Sequence, residues 1–101
     1  MSREPMRYAV VVRYSKDPSL YITVGKVPGM EYAAAVANVA EEKAGVDRIF
    51  VVDTDSRKVV EYNELGGGVR VARMGSRAPV AEVALAVAAA FGIWVNTGGR
   101  G

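Results

Sequence analysis

The sequence predicts a two-layer α/β (α+β) domain: an antiparallel sheet of about four strands, one helix across it and a second, C-terminal helix, in the order ββαββα. Three observations support this class. Short segments of alternating apolar and polar residues stand in pairs around turn signals. Residues 30–44 have the apolar spacing of a helix, and an apolar run follows the proline at position 79. With 101 residues, half of them apolar, residues 1–101 form one domain.

The first predicted hairpin consists of residues 7–14 and 20–24, joined by turn-forming residues. In the first strand, the even-numbered positions face the core and the odd-numbered positions form an outer face, which we expect to be solvated. The inward positions of the second strand are Leu20, Ile22 and Val24.

The predicted first helix follows the chain breaks at Gly25, Pro28 and Gly29 and ends at Gly45. Its apolar positions recur at spacings of three and four, so the helix has one face to bury on a sheet. These positions are Ala33, Val36, Ala37, Ala40 and Ala44.

The second predicted hairpin consists of residues 48–54 and 58–62, with a turn at residues 54–57. A glycine triplet at residues 66–68 leads to a short fifth strand at residues 69–71. The second helix, residues 79–91, carries Glu82 as its single charge and ends at Gly92. A short helix that is apolar almost all round predicts a subunit interface, which residues 93–95 extend. We expect the tail, residues 96–101, to be mobile.

The composition argues against catalysis. The chain has no Cys and no His, which excludes disulfides, thiolate zinc sites and His-based catalytic arrangements, so we expect no enzyme activity and no cofactor. Asp53 and Asp55 form either a metal-binding pair or a turn, and we favour the turn. No segment predicts a membrane span or a signal peptide, so we expect a cytoplasmic protein. The absence of Cys and Gln fits a hyperthermophile.

Basic and aromatic residues alternate onto the predicted outer face of the sheet. Cations follow the phosphates of single-stranded nucleic acid, and flat rings accept its bases. The same residues could also be ordinary solvated side chains, but a Phe at such a position favours base stacking or an oligomer contact. The predicted binding residues are Arg7, Arg13, Tyr21, Lys26, Arg48, Phe50, Lys58 and Tyr62. Arg70, Arg73 and Arg77 form a second basic patch, whose direction the sequence leaves open.

Two family resemblances centre on the first helix. Gly25-Lys26-Val27, Met30 and the closing residues 43–46 resemble HutP, a bacterial RNA-binding regulator with helices on an antiparallel sheet. Over about its first two-thirds, the chain is most similar to the ThermoDBP-related proteins, an archaeal group with a HutP-like fold. This resemblance implies single-stranded DNA binding in a hyperthermophile. HutP's ligand and metal chemistry relies on histidines, so that function is not implied here.

The second resemblance is to Alba chromatin proteins, which share Gly25-Lys26, Pro28, Met30 and Tyr32. It implies an architectural protein that binds duplex DNA or RNA. Alba begins with the strand before this loop and has a C-terminal hairpin. Here an additional strand, residues 7–14, precedes that strand, and no hairpin follows the second helix, so Alba is the second choice.

We therefore expect a sequence-independent single-stranded DNA-binding protein, with RNA left open as the natural ligand. The alternatives are an Alba-like duplex-binding protein and an oligomeric scaffold without a nucleic-acid role. We also expect a homo-oligomer, a dimer or tetramer, with no membrane partner. The predicted interface residues are Val83, Leu85, Val87, Phe91 and Trp94.

Overall fold

The computed structural model describes residues 5–66, 69–72 and 78–92. The strands pair in the order β2-β1-β3-β4-β5, and every pair is antiparallel. The predicted class and the element order ββαββα are confirmed, with β5 as a short additional strand at the sheet edge. The elements are β1 (Tyr8–Tyr14), β2 (Asp17–Val27), α1 (Met30–Glu41), β3 (Val46–Asp53), β4 (Lys58–Gly66), β5 (Val69–Ala72) and α2 (Val80–Ala90).

Helix α1 packs on one face of the sheet through small side chains. Ala33, Ala37 and Ala40 are buried at the i, i+4 and i+7 positions and lie in one core cluster with Val10 and Ile49. The helix ends before the predicted boundary at residue 44. The backbone N–H of Lys43 donates to the carbonyl of Ala40 at 3.1 Å, and Gly45 has a left-handed φ of +90°. This tight turn directs the chain into β3.

Helix α2 packs on the other face, which differs from the predicted two-layer arrangement. Its buried residues, Ala86 and Ala90, lie in a second core cluster with Ala9, Val11 and Phe50. The outer face predicted to be solvated is therefore a second core. The physical reason is that β1 and β3 are apolar on both faces, a pattern typical of strands covered on both sides.

Strand β2 is longer than predicted and forms a sheet edge. Its register with β1 shifts at Val24, so a β-bulge carries the strand past Gly25. A Cβ on Gly25 would lie 3.3 Å from Cγ1 of Val36, which shows how closely α1 approaches β2. On the other face, the hydroxyl of Thr23 donates to the carbonyl of Ala89 at 2.8 Å. Each helix therefore has a direct contact with this edge strand.

Candidate nucleic-acid interface

The aromatic residues predicted to stack on bases lie beneath α2. Phe50 is fully buried and Tyr62 is 5% exposed, while Tyr21 is half-buried. The ring of Phe50 lies 5.7 Å from that of Tyr21 and 5.3 Å from that of Tyr62, measured between centroids. Burial raises the pKa of both tyrosines. The predicted placement of Phe50 and Tyr62 on a solvated face is wrong, because α2 covers these rings.

Arg13 and Arg48 are also engaged within the domain. Arg13 donates to both carboxylate oxygens of Asp47, at 3.0 and 2.7 Å, and this pairing raises the pKa of its guanidinium. Arg48 pairs with Glu64 at 3.0 Å. The carboxylate of Glu82 on α2 lies 3.6 Å from Nη1 of Arg13 and 3.6 Å from Nε of Arg48. Both guanidinium groups therefore lie beneath α2 within ion-pair distance of Glu82, and Arg48 Nε and Glu82 Oε1 have no hydrogen-bond partner in the described part of the chain. The predicted solvent exposure of these two arginines is also wrong.

Arg7 forms the third internal ion pair. Its Nε and Nη2 donate to the two carboxylate oxygens of Asp53 at 3.0 and 2.9 Å, which lowers the pKa of Asp53 to about 2. The Asp53 carboxylate also accepts from the backbone N–H of Asp55 at 3.0 Å, so the predicted turn is confirmed. Arg7 remains half-exposed, with its guanidinium 5.3 Å from the ring centroid of Tyr8. Within the described residues, no group of three or more acidic side chains is placed to hold a metal ion.

One end of the sheet collects exposed cations. We call it the cationic end and define it by Arg7, Lys26, Arg57 and Lys58. It lies where β1 begins, β2 ends and β3 turns into β4. All four side chains are exposed. Lys26, Arg57 and Lys58 have no ion pair within residues 5–66, 69–72 and 78–92, so their charge is available to a partner.

The strand register sets the width of the cationic end. Lys26 is opposite Ala9 on β1, and Ala9 is opposite Val52 on β3. Val52 is in turn opposite Val59, the neighbour of Lys58 on β4. Three inter-strand spacings of about 4.8 Å separate the two lysine strands, so the cations span roughly 15 Å.

An exposed aromatic ring stands at the same end. The guanidinium of Arg57 lies 5.5 Å from the ring centroid of Phe91, which follows α2 as its C-cap and is 41% exposed. Arg57 has a left-handed φ of +60°, and its N–H donates to the carbonyl of Asp53 at 2.7 Å. Sequence reasoning found the turn but omitted Arg57, and it assigned Phe91 to an oligomer interface. The adjacent Arg57-Lys58 pair was the available signal.

The opposite end of the sheet is acidic. Glu41, Glu42 and Asp47 line a depression of about 570 Å³ together with Lys43 and the start of β3. Ser15 also lines the depression, and Lys16 follows it in the turn between β1 and β2. The lining of this depression thus holds three carboxylates and one ammonium group, and the Asp47 carboxylate is already paired with Arg13.

The remaining predicted residues belong to the second basic patch and to the predicted oligomer interface. Arg70 lies on β5, opposite Leu65. Arg73, Arg77 and Trp94 lie outside the described residues. Of the predicted interface residues on α2, Val83 and Leu85 are half-buried, while Val87 packs against the second core cluster. Val87 is therefore at least partly engaged within its own domain.

Comparisons with known proteins identify no relative: no family model, curated protein or solved structure matches the chain. Among the described helices, none is both long and apolar enough to cross a membrane.

Proposed function

We propose that the chain binds single-stranded DNA without sequence preference and that the cationic end is its main contact surface. The observation that carries this proposal is the separation of the cations into two groups. Arg13 and Arg48 form ion pairs with carboxylates under α2. In the described part of the chain, Lys26, Arg57 and Lys58 are exposed at one end of the sheet without an ion pair. A phosphate group needs exposed cations that are not already paired, and Lys26, Arg57 and Lys58 meet this condition.

The ring of Phe91 supplies the contact that a single strand needs and a duplex does not. Unpaired bases stack on exposed aromatic rings at about 1–3 kcal/mol per base, whatever their sequence. Arg57 lies against this ring and can bind the adjoining phosphate. A cation and a ring held 5.5 Å apart thus form a small site for one nucleotide.

The second basic patch supports the same function. Residues 66–81 carry three arginines and no acid, a charge of +3, while the other residues sum to −1. The positive surplus of the chain therefore resides in this segment, and we propose that Arg70, Arg73 and Arg77 form a second contact with nucleic acid. This contact is separate from the cationic end, because Arg70 lies opposite Leu65 at the far end of β4. The resemblance to the ThermoDBP-related proteins points to the same ligand, although the cationic end replaces the sheet face.

A salt-dependent binding series tests this proposal. Fluorescence anisotropy would follow a labelled oligo-dT at several salt concentrations with the wild type, Lys26→Ala/Lys58→Ala and Lys16→Ala/Lys43→Ala. The two double variants remove the same charge from opposite ends of the sheet. We expect the first to weaken binding and lower the salt slope by roughly 1.4, about 0.7 per lost phosphate contact. The second, measured below roughly 1 µM of protein so that the chain is monomeric, should bind nearly as the wild type does.

The ring is tested separately. Phe91→Ala should weaken oligo-dT binding with little change in the salt slope, because stacking releases no counterions. Equal losses in both lysine variants would contradict the cationic end as the binding surface. A preference for the matching duplex would favour the architectural alternative, and absence of binding at low salt would favour the scaffold.

We also propose that the chain is a homo-oligomer, a dimer or tetramer. Residues Val80, Ala81 and Ala84 form an exposed, uncharged surface on α2. The side of the sheet that carries α1 exposes a larger apolar surface.

A further inference from the structure

The exposed apolar side chains are concentrated beside one sheet edge. Of the nine large apolar side chains that are exposed in the described part of the chain, five belong to β2 or α1. Ile22 is opposite Val12 of the core under α1, Val24 lines a hollow with Val36, and alternation places Leu20 on the same face as Ile22. On α1 the exposed side chains follow the helical stripe of Val36. We call this surface the α1–β2 strip, and its members are Leu20, Ile22, Val24, Tyr32 and Val39.

The strip contains a hollow and has opposite charges at its two ends. Val24, Val36 and Val39 line the hollow, which has a volume of about 120 Å³, together with Val12, Ala40 and Lys43. Lys43 stands just beyond the C-terminal end of α1. Glu31 is exposed in the first turn of the helix, next to Tyr32. The strip therefore runs from a carboxylate to an ammonium group.

The free edge of β2 is unsuited to pairing with another strand. Pro18 lacks an N–H to donate, and the bulge at Val24 interrupts the regular ladder. Both features protect edge strands against association. A partner would therefore contact the apolar face of the strip rather than extend the sheet.

We infer that a second copy of this chain docks on the α1–β2 strip, with the two α1 helices antiparallel about a two-fold axis between Val36 and Val39. This arrangement places each Val36 against the second copy's Val39, which can enter the hollow. It also brings Lys43 to the second copy's Tyr32 and Glu31. The charge complementarity of the two ends favours a second copy over an unrelated partner, because the strip matches itself when reversed.

The area of the strip predicts a weak dimer. Helix α1 is about 18 Å long at 1.5 Å per residue, and one helix beside one strand is roughly 15 Å wide. The resulting contact of about 270 Å² is about a third of the roughly 800 Å² per partner in stable complexes. We expect dissociation in the micromolar range, at roughly 1–100 µM.

Helix α2, the interface predicted from the sequence, offers less exposed apolar surface than the α1–β2 strip. Its Ala86 and Ala90 are buried in the domain and Val87 packs against the same cluster. The exposed positions are Val80, which is 86% exposed, and two alanines. Pairing through α2 is therefore the competing outcome of the experiment.

Two matched substitutions distinguish the surfaces. Val39→Glu and Val80→Glu make the same change at exposed helix positions on opposite faces. Val39 is 64% exposed, so the monomer should stay folded after its replacement. Light scattering and sedimentation, without nucleic acid, would measure the mass from roughly 1 µM to roughly 1 mM.

We expect the wild type to pass from monomer to dimer over this range. Val39→Glu should raise the dissociation constant at least about tenfold, while Val80→Glu should leave it unchanged. A wild type that is monomeric throughout would overturn the inference. Loss of the dimer in Val80→Glu but not in Val39→Glu would place the interface on α2 and would overturn it as well.

A charge reversal tests the orientation of the copies. Lys43→Glu should weaken the dimer, because it sets like charges against Glu31 of the second copy. Adding Glu31→Lys should restore the association. If Lys43→Glu dimerises as the wild type does, the antiparallel arrangement is wrong. Circular dichroism of each variant would verify that the helices form.

Discussion

The two helices bury similar side chains but differ in where they place charge. Helix α1 buries Ala33, Ala37 and Ala40 and presents charged residues such as Glu31 to solvent. Helix α2 buries Ala86 and Ala90, but its single charge, Glu82, turns inward to the arginines of the sheet. Alanine by itself does not identify the buried face, because Ala81 and Ala84 of α2 are exposed. A charged residue on a helix indicates the solvent face only when the sheet beneath carries no side chain of opposite charge.

The two faces of the sheet also differ in chemistry. The core under α1 is largely aliphatic, with Val10, Val12 and Ile49. The core under α2 contains the aromatic cluster around Phe50 and is bordered by the ion pairs of Arg13 and Arg48. Arginines and rings on a strand thus resemble a binding surface in sequence, yet here they hold a helix in place.

The largest expected effect comes from truncating one buried side chain in each of the two cores. Ile49 and Phe50 are neighbours on β3 that point to opposite faces, and both are buried. Because each leaves a cavity, we expect Ile49→Ala to lower the free energy of unfolding by about 2–5 kcal/mol and Phe50→Ala by about 3–5 kcal/mol. Urea denaturation would measure both.

If the sheet face that carries Phe50 were solvated, the result would differ. Phe50→Ala would then change the free energy of unfolding by less than about 0.5 kcal/mol and would weaken oligo-dT binding directly. Phe50→Leu keeps much of the buried volume, so in our account it should recover most of the lost stability.

A smaller effect is expected from the charge that α2 turns inward. Glu82→Ala leaves Arg48 and Arg13 with one carboxylate fewer at side chains that are 18% and 13% exposed. We expect a loss of about 1–2 kcal/mol in the free energy of unfolding. The matched change on the other helix, Glu42→Ala at the C-cap of α1, should have an effect within about 0.5 kcal/mol. Equal effects would contradict the clamping role of Glu82.

Sequence reasoning predicted the elements well because each has a local signal. The turn at Asp53–Asp55, the period of α1 and the proline before α2 are encoded within a few residues. The burial of Phe50 beneath α2 has no such local signal, since the two are far apart in the chain. The alternation correctly placed Ile49 and Phe50 on opposite faces, but it could not decide whether the second face meets water, another subunit or the chain's own helix.

A further expected effect is the dependence of stability on acid, which concerns the sheet rather than either helix. Asp53 links β3 to Arg7 at the start of β1, and its pKa is lowered from 3.8 to about 2. A lowered pKa stabilises the fold above the ordinary value, and this stabilisation is lost as the pH falls from about 4 to about 2. Asp53→Asn should flatten this part of the pH profile, measured by thermal unfolding. An unchanged profile would contradict the role of the pair.

The central claim is that nucleic acid binds at the cationic end while α2 stays on the sheet. Hydrogen–deuterium exchange of the intact protein, with and without oligo-dT, tests this most directly. We predict slower exchange at residues 54–58 and around Lys26 when oligo-dT is bound, with no change in α2 or in the centres of β1 and β3. Faster exchange in α2 together with protection of the strand centres would contradict the claim, because it would mean that the helix leaves and the sheet face binds the strand.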